Sequence, residues 1–456
     1  MPGATEVSAA AAPEHLVVRA TFGLVQTFDG GKTWRWICEQ AIGVSGEADP
    51  PLTVTADGAL ILVSPKGGIL LSRDDGCSWM PGPALLEAKK TVDLTRDPRS
   101  GARVLVLAST VVSIDDHGIV TYENRVAETR DSAATWSELA PLPTDFSAET
   151  IEVAPSDARR IYVSGTASID PLLGVIVRSE DGGATWLRSE LALPQGSGSV
   201  FIGAIDPQDP DRLWIRVPAR GDVFGFFPAT LLVSGDRART FSVVAATTRA
   251  MFGFALSPDG TKLAYGGPFD GLFVGPASGG PFTKVSALGV RCLKWGERGL
   301  YACGSQPPDP FTLGLSPNAD GKFEPLYDAR TTCPMNCTRG GTFAAACQAP
   351  WTAIGRSIGA PASCDTPWDA GTDSGPGTDG GPDASRSDSG NPLADSGDAR
   401  PDDAALDTPP RTSARARARG GCDCDLANGA SRLRPELASM FIVLALALRL
   451  RRLRRR

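Results

Sequence analysis

Five aspartates, Asp29, Asp74, Asp131, Asp181 and Asp236, recur at one position of a repeated octad in this 456-residue chain. A carboxylate held in a fixed place can act as a general acid, a general base or a nucleophile. The octads read Thr27-Phe-Asp-Gly-Gly-Lys-Thr-Trp34, Ser72-Arg-Asp-Asp-Gly-Cys-Ser-Trp79, Thr129-Arg-Asp-Ser-Ala-Ala-Thr-Trp136, Ser179-Glu-Asp-Gly-Gly-Ala-Thr-Trp186 and Ser234-Gly-Asp-Arg-Ala-Arg-Thr-Phe241. Each has a hydroxyl residue first and seventh, Asp third, Gly or Ala fifth, and Trp or Phe last. Such a carboxylate also serves a turn, because it accepts hydrogen bonds from turn amides as in an Asx-turn. Gly in the same turn supplies a positive φ without steric cost, and the closing aromatic ring is large enough to fill a wedge between neighbouring units. An Asp that recurs once per unit cannot converge with its copies on one centre, so the turn role is the stronger reading. Ala133 and Ala238 replace Gly in the third and fifth copies, and distorted turns are expected there.

The elements that carry the octads are short strands. Ile69-Leu-Leu71, Val175-Ile-Val177 and Leu231-Leu-Val233 precede three of them, so each octad is a hairpin turn. The starts lie 45, 57, 50 and 55 residues apart, a period that marks a stack of one supersecondary unit. Upstream of each octad a second turn punctuates two apolar runs, at Asp57-Gly58, Pro98 to Gly101, Pro155 to Asp157, Pro207 to Pro210 and Pro258 to Gly260. Two weaker units follow, Leu272 to Phe282 and Cys292 to Phe323, the latter with a decayed octad at Ser316 to Phe323. The octad resembles the Asp-box, or bacterial neuraminidase repeat, of sialidases, other glycoside hydrolases and sortilin-type receptors. That resemblance implies an all-β β-propeller of seven blades over residues 14–330, with six or eight as alternatives. It implies no particular activity.

Sialidases bring together an Arg triad, a Tyr/Glu nucleophile pair and an Asp. Here only Arg19 lies near the position of their first-blade arginine, and its motif is not met. None of Tyr122, Tyr162, Tyr265, Tyr301 and Tyr327 has a nucleophile context, so no catalytic residue is carried over. Other propeller glycosidases need two facing carboxylates, and nothing in the sequence marks such a pair. His15 and His117, the two histidines, are read as ordinary strand or surface residues. No phosphate-loop or dinucleotide motif is present. Trp214, Trp295, Trp351 and Phe224 to Phe227 can line a binding surface, but core packing is the stronger expectation for them.

A net charge of −7 argues against nucleic-acid binding, which needs a basic surface. Ten Cys with two His and no CxxC pair argue against a metal site, and no cofactor is implied. Eight Cys in the folded part point instead to disulfides formed in an oxidising compartment. Cys292 and Cys303 flank a hairpin and are expected to pair; Cys38 with Cys77, between adjacent blades, is a second expectation. Cys333, Cys337, Cys347 and Cys364 fall in a Cys-rich cap over 331–368 whose pairing is left open. The position of the cap resembles the Cys-rich module after the propeller of sortilin-type receptors; sealing of the last blade is the alternative.

From 369 to 420 the chain is rich in Asp, Gly, Ser and Pro, with too little apolar surface to bury, and reads as a disordered linker. Residues 421–456 hold Gly421-Cys422, a short apolar run Leu437 to Leu448 and a tail with six Arg. This resembles a myxobacterial-type C-terminal sorting signal, which implies processing near Cys422 and a short membrane helix as anchor; an interfacial basic tail is the alternative. Residues 1–13 look like the small-residue remnant of a signal peptide, with the first strand at Leu16-Val-Val18. Together these readings give an exported, surface-anchored propeller that binds a glycan or protein, with a glycoside hydrolase as the second reading.

Overall fold

The computed structural model describes residues 4–9, 14–44, 50–167, 172–193, 196–220, 227–337, 341–361 and 364. Among them seven sheets follow one another in chain order around an axis, each a meander of four antiparallel strands. The first blade holds Ala4–Ala9, Leu16–Ala20, Gly23–Thr27 and Trp34–Ile37. The second to seventh blades start with the inner strands Leu52–Val54, Thr91–Arg96, Ser147–Ala154, Phe201–Ile205, Gly253–Leu256 and Cys292–Gly296. The seven-blade all-β propeller expected from the repeat is the fold. Its second and third strands are apolar on both faces because both are covered by neighbouring blades: Leu16–Ala20, Leu60–Val63 and Gly299–Cys303 are buried throughout. Fourth strands such as Ser242–Ala246 face solvent and read as mixed polar and apolar.

Every octad connects the third and fourth strands of its blade. The expected distortion at Ala133 and Ala238 is absent. Ala133 and Ala238 take φ of 66° and 63°, the region held by Gly183 at 92° in the fourth copy. The amide of the fifth residue donates to the first hydroxyl at 2.9 Å for Ala133, 2.7 Å for Gly183 and 2.9 Å for Ala238. The hydrogen-bond set over-determines the turn and holds alanine in a left-handed conformation it disfavours. Gly183 differs because a Cβ there would lie 2.4 Å from Leu139 Cδ1. Gly183→Ala therefore combines backbone strain with overpacking, and a loss of about 2 kcal/mol is expected in urea unfolding.

Three expectations are corrected by the way the ring closes. Ala4–Ala9 pairs with Leu16–Ala20 as the innermost strand of the first blade, so the first strand lies before Leu16-Val-Val18. After the seventh blade, Thr332–Pro334 adds in parallel to the outer edge Trp34–Ile37, and the helix Thr342–Ile358 packs Trp351 on Trp36 with ring centroids 5.1 Å apart. The cap thus seals the first blade, not the last. Cys38 does not pair with Cys77: each is bonded to the cap, as Cys38–Cys347 and Cys77–Cys337, because the returning chain lies between the first two blades at their outer edge. Cys292–Cys303 are bonded across directly paired strand positions, and Cys333–Cys364 ties the cap to itself. Residues 369–420 and 421–456, with Gly421 and Cys422, lie outside the described residues; no described helix is long and apolar enough to cross a membrane.

Candidate functional site

The octad carboxylates sit at the perimeter, one per turn. In the fourth copy Asp181 accepts from Ser179 Oγ at 2.8 Å, from the Thr185 amide at 2.9 Å and from Thr185 Oγ1 at 2.6 Å. Asp29, Asp74, Asp131 and Asp236 repeat this set. The hydroxyl of Thr135, Thr185 or Thr240, followed by the amide of the same residue, holds Asp131, Asp181 and Asp236 down at about 2. A carboxylate so stabilised has no proton to give near neutrality, and its lone pairs are already used. The closing rings do fill the wedges: Trp34 Nε1 donates to Leu326 O at 3.0 Å in the seventh blade, and Trp186 Nε1 to Ala140 O at 2.9 Å after the third. Trp79 donates within its own turn, to Gly76 O at 3.0 Å. Trp136 and Phe241 are half-buried against the cores beside them.

The residues suited to a site lie on the axis instead. A cavity of about 400 Å³ is lined by Glu152, Phe201, Arg216, Phe254 and Lys294. Inner strands begin at the end of the disc opposite the octads, and the lining includes the first residues of Phe201–Ile205 and Cys292–Gly296, so the cavity lies toward that end. Glu152 is half-buried and faces this space. Burial pushes its carboxyl up to about 7, against the opposing pull of the Thr95 hydroxyl, which donates to it at 2.9 Å, and of the Lys294 ammonium. Glu149, on the same strand, is also raised by burial, opposed by Ser199 and Lys90. Asp93, on the neighbouring inner strand, accepts from the Ile151 amide at 2.9 Å, so a further carboxylate lies beside this strand. Arg216 donates to the Met251 carbonyl at 2.5 Å and lies over the Phe201 ring at 5.0 Å, and burial lowers its pKa.

Glu152 has a sign that can be measured. Its native pKa is raised above the usual 4.5, so its favourable contribution is complete below pH 4.5 and is lost as pH rises through 7. Relative to Glu152→Gln, the natural chain should lose on the order of 3 kcal/mol of unfolding free energy between pH 4.5 and 8. Urea unfolding of both proteins at pH 4.5, 6 and 8 checks it: the difference should grow with pH.

Residues singled out from sequence for other chemistry do not converge. His15 is buried, sits 3.3 Å from Gln26 Oε1 and stacks on Phe28; His117 is exposed in a hairpin turn. Arg19 is buried and donates to the Pro50 carbonyl. Tyr162 donates to Pro210 O at 2.8 Å, Tyr327 is paired with Thr332, and burial raises both phenols. Trp214 is wholly buried under Arg212, and Trp351 packs on the first blade; Phe224 to Phe226 lie outside the described residues. Among the described residues no cluster of three or more His, Cys, Asp or Glu is arranged to hold a metal ion. The axial residues were missed in the sequence, although a signal was there. Glu152 lies between Ile151 and Val153, Arg216 between Ile215 and Val217, and Lys294 between Leu293 and Trp295. A lone charge inside an apolar strand is costly unless it faces a partner or a wet cavity.

No family model matches the sequence, and a search of curated proteins gives no match either. Among solved structures, an ancestral GH74 enzyme aligns with a TM-score of 0.47 and 12% identity, over 68% of this chain and 46% of its own, so the chain spans about half that enzyme's length. The extracellular domain of BT4673 from B. thetaiotaomicron gives 0.44 and 12%, over 66% of this chain and 37% of that one. The α-L-arabinofuranosidase Arb93A from Fusarium graminearum gives 0.38 and 13%, over 57% and 88%. At these identities and scores none of them assigns an activity to the chain.

Proposed function

We propose that this chain is an exported recognition protein that grips a glycan or protein ligand at the axial end of its propeller and does no chemistry on it. The observation that carries the reading is the apolar rim at the end toward which the axial cavity lies. The end toward which the cavity lies is apolar where it meets solvent. Phe252 and Phe269 are exposed there, and the hairpin Val104–Ile114 to Val120–Thr129 carries Val112, Ile114 and Ile119 outward. Exposed apolar groups clustered at one end of a disc suit an interaction surface. Four disulfides fit an oxidising compartment; with the Gly421-Cys422 segment and the Arg tail they support attachment at the cell surface.

Binding of the full chain to a glycan array and to intact cell-surface preparations tests this. Saturable binding that falls at least tenfold in Phe252→Ala/Phe269→Ala, with folding unchanged, is expected. Binding untouched by that double variant and by Lys294→Ala would place the ligand elsewhere and refute the reading. A glycoside hydrolase is the second reading, favoured by one observation: a carboxyl raised to about 7 is the protonation state a general acid needs.

A further inference from the structure

The end toward which the axial cavity lies is not level. In the third blade the ladder of the middle hairpin runs from Val104 opposite Thr129 to Ile114 opposite Val120, whereas in the sixth it runs only from Lys262 opposite Pro276 to Gly267 opposite Gly271. The third-blade hairpin therefore stands about four residues, or roughly 13 Å, above that of the sixth. Its projecting part is apolar and exposed at Val111, Val112, Ile114 and Ile119. The lower sixth blade exposes Phe252, which lines the axial cavity, and Phe269. These six side chains present roughly 600 Å² of apolar surface, most of the ~800 Å² that each partner brings to a stable interface.

Charge divides in the same way. At the hairpin tip Asp115 is occupied by the amides of His117 and Ile119, at 2.8 Å each, so the exposed Asp116 is the carboxylate left for a partner. On the sixth blade Asp270 is occupied by the Thr248 hydroxyl at 2.9 Å and the Arg249 amide at 3.0 Å. The Arg249 side chain is exposed there, its guanidinium over the Phe269 ring at 5.9 Å. An apolar ridge tipped with an acid thus stands on one blade, and a lower apolar floor with a base on another. The third and sixth of seven blades lie nearly opposite one another across the axis. A two-fold rotation perpendicular to that axis lays the ridge of one copy on the floor of the other and makes the contact twice. Shape, apolar surface and charge then match at both contacts.

We propose that two copies of this chain pair face to face through this end. The third-blade hairpin of each is seated on Phe252 and Phe269 of the other, with Asp116 of one beside Arg249 of the other. The pair covers both axial cavities, so a second copy and the ligand of the reading above exclude one another; only that consequence rests on that reading.

Sedimentation velocity of the full chain, from below 1 μM to about 100 μM, is the test. A reversible monomer–dimer equilibrium is expected. Ile119→Asp, at an exposed turn position where the fold is retained, should weaken it at least about tenfold. Asp116→Arg and Arg249→Glu should each weaken it at least about threefold, and the two combined should return it to near the natural value, because the exchanged charges meet again. A chain that stays monomeric throughout would overturn the proposal. So would a dimer indifferent to Ile119→Asp, or a double charge exchange no tighter than the weaker single variant. Glycan-array and cell-surface binding by Asp116→Arg, whose axial cavity is unaltered, keeps the two claims apart. Binding by a chain that never dimerises leaves the axial reading standing without the pairing. A dimer whose separated copies bind nothing leaves the pairing without the reading.

Discussion

Replacing Cys38, Cys77, Cys337 and Cys347 together by serine should open the ring, leaving a chain that is largely unfolded at 37 °C. Removing either bond alone should leave it folded. Cys38–Cys347 closes a separation of 309 residues and Cys77–Cys337 one of 260. The two are nested, so with one intact the other closes a residual loop of only about 50 residues. On a chain-entropy account the second bond is worth ~4 kcal/mol and the first ~6 kcal/mol more. Those are upper values, but their sum is comparable with the whole stability of a domain, roughly 5–15 kcal/mol. What remains to join the ends is the parallel pairing of Thr332–Pro334 with Trp34–Ile37, the packing of Trp351 on Trp36, and the packing of the first blade on the seventh, where Trp34 meets Leu326 and Tyr327. Circular dichroism and urea unfolding of the two single-bond variants and the double one check this. Equal stability of the double and single variants would mean that the cap does not close the ring.

Arg103→Ala should be the most destabilising single substitution among the charged residues, at about 3–5 kcal/mol, because it strands buried charges. Asp97 and Glu128 are 1% and 4% exposed and both are bonded to the Arg103 guanidinium. Arg103→Lys should recover only part of the loss, since an ammonium cannot hold two carboxylates and the Ala158 carbonyl in one plane. Adding Asp97→Asn and Glu128→Gln to Arg103→Ala should restore much of the stability, as the stranded charge is then gone. Urea midpoints of the four proteins give the answer. A loss below 1 kcal/mol for Arg103→Ala would mean that water enters and solvates the acids.

The parts of this architecture that were legible in the sequence are the local ones. An octad carries its turn within eight residues: the hydroxyl, the Asp and the small residue that bond to one another are all in it, so Asp131 and Asp181 announce their role without the rest of the chain. Ala133 misled because a propensity argument weighs one residue, whereas the turn fixes that residue through several hydrogen bonds. Pairings set by ring closure were out of reach. Cys38 finds Cys347 only because seven blades bring the chain back to its start, and nothing near either cysteine encodes that return. The same holds for the axial residues. Glu152, Arg216 and Lys294 are visible one by one as charges in apolar strands, but their meeting around one cavity requires that separate blades share an axis.

The most direct test of the central claim is turnover by the full chain on a panel of fluorogenic glycosides, sialosides and arabinofuranosides included, run with Glu152→Gln in parallel across pH 4–8. A recognition protein gives no multiple turnover on any of them, and the two proteins behave alike. Turnover that survives repeated purification and disappears in Glu152→Gln would make Glu152 a catalytic acid, and the reading of this propeller as a binder would be wrong.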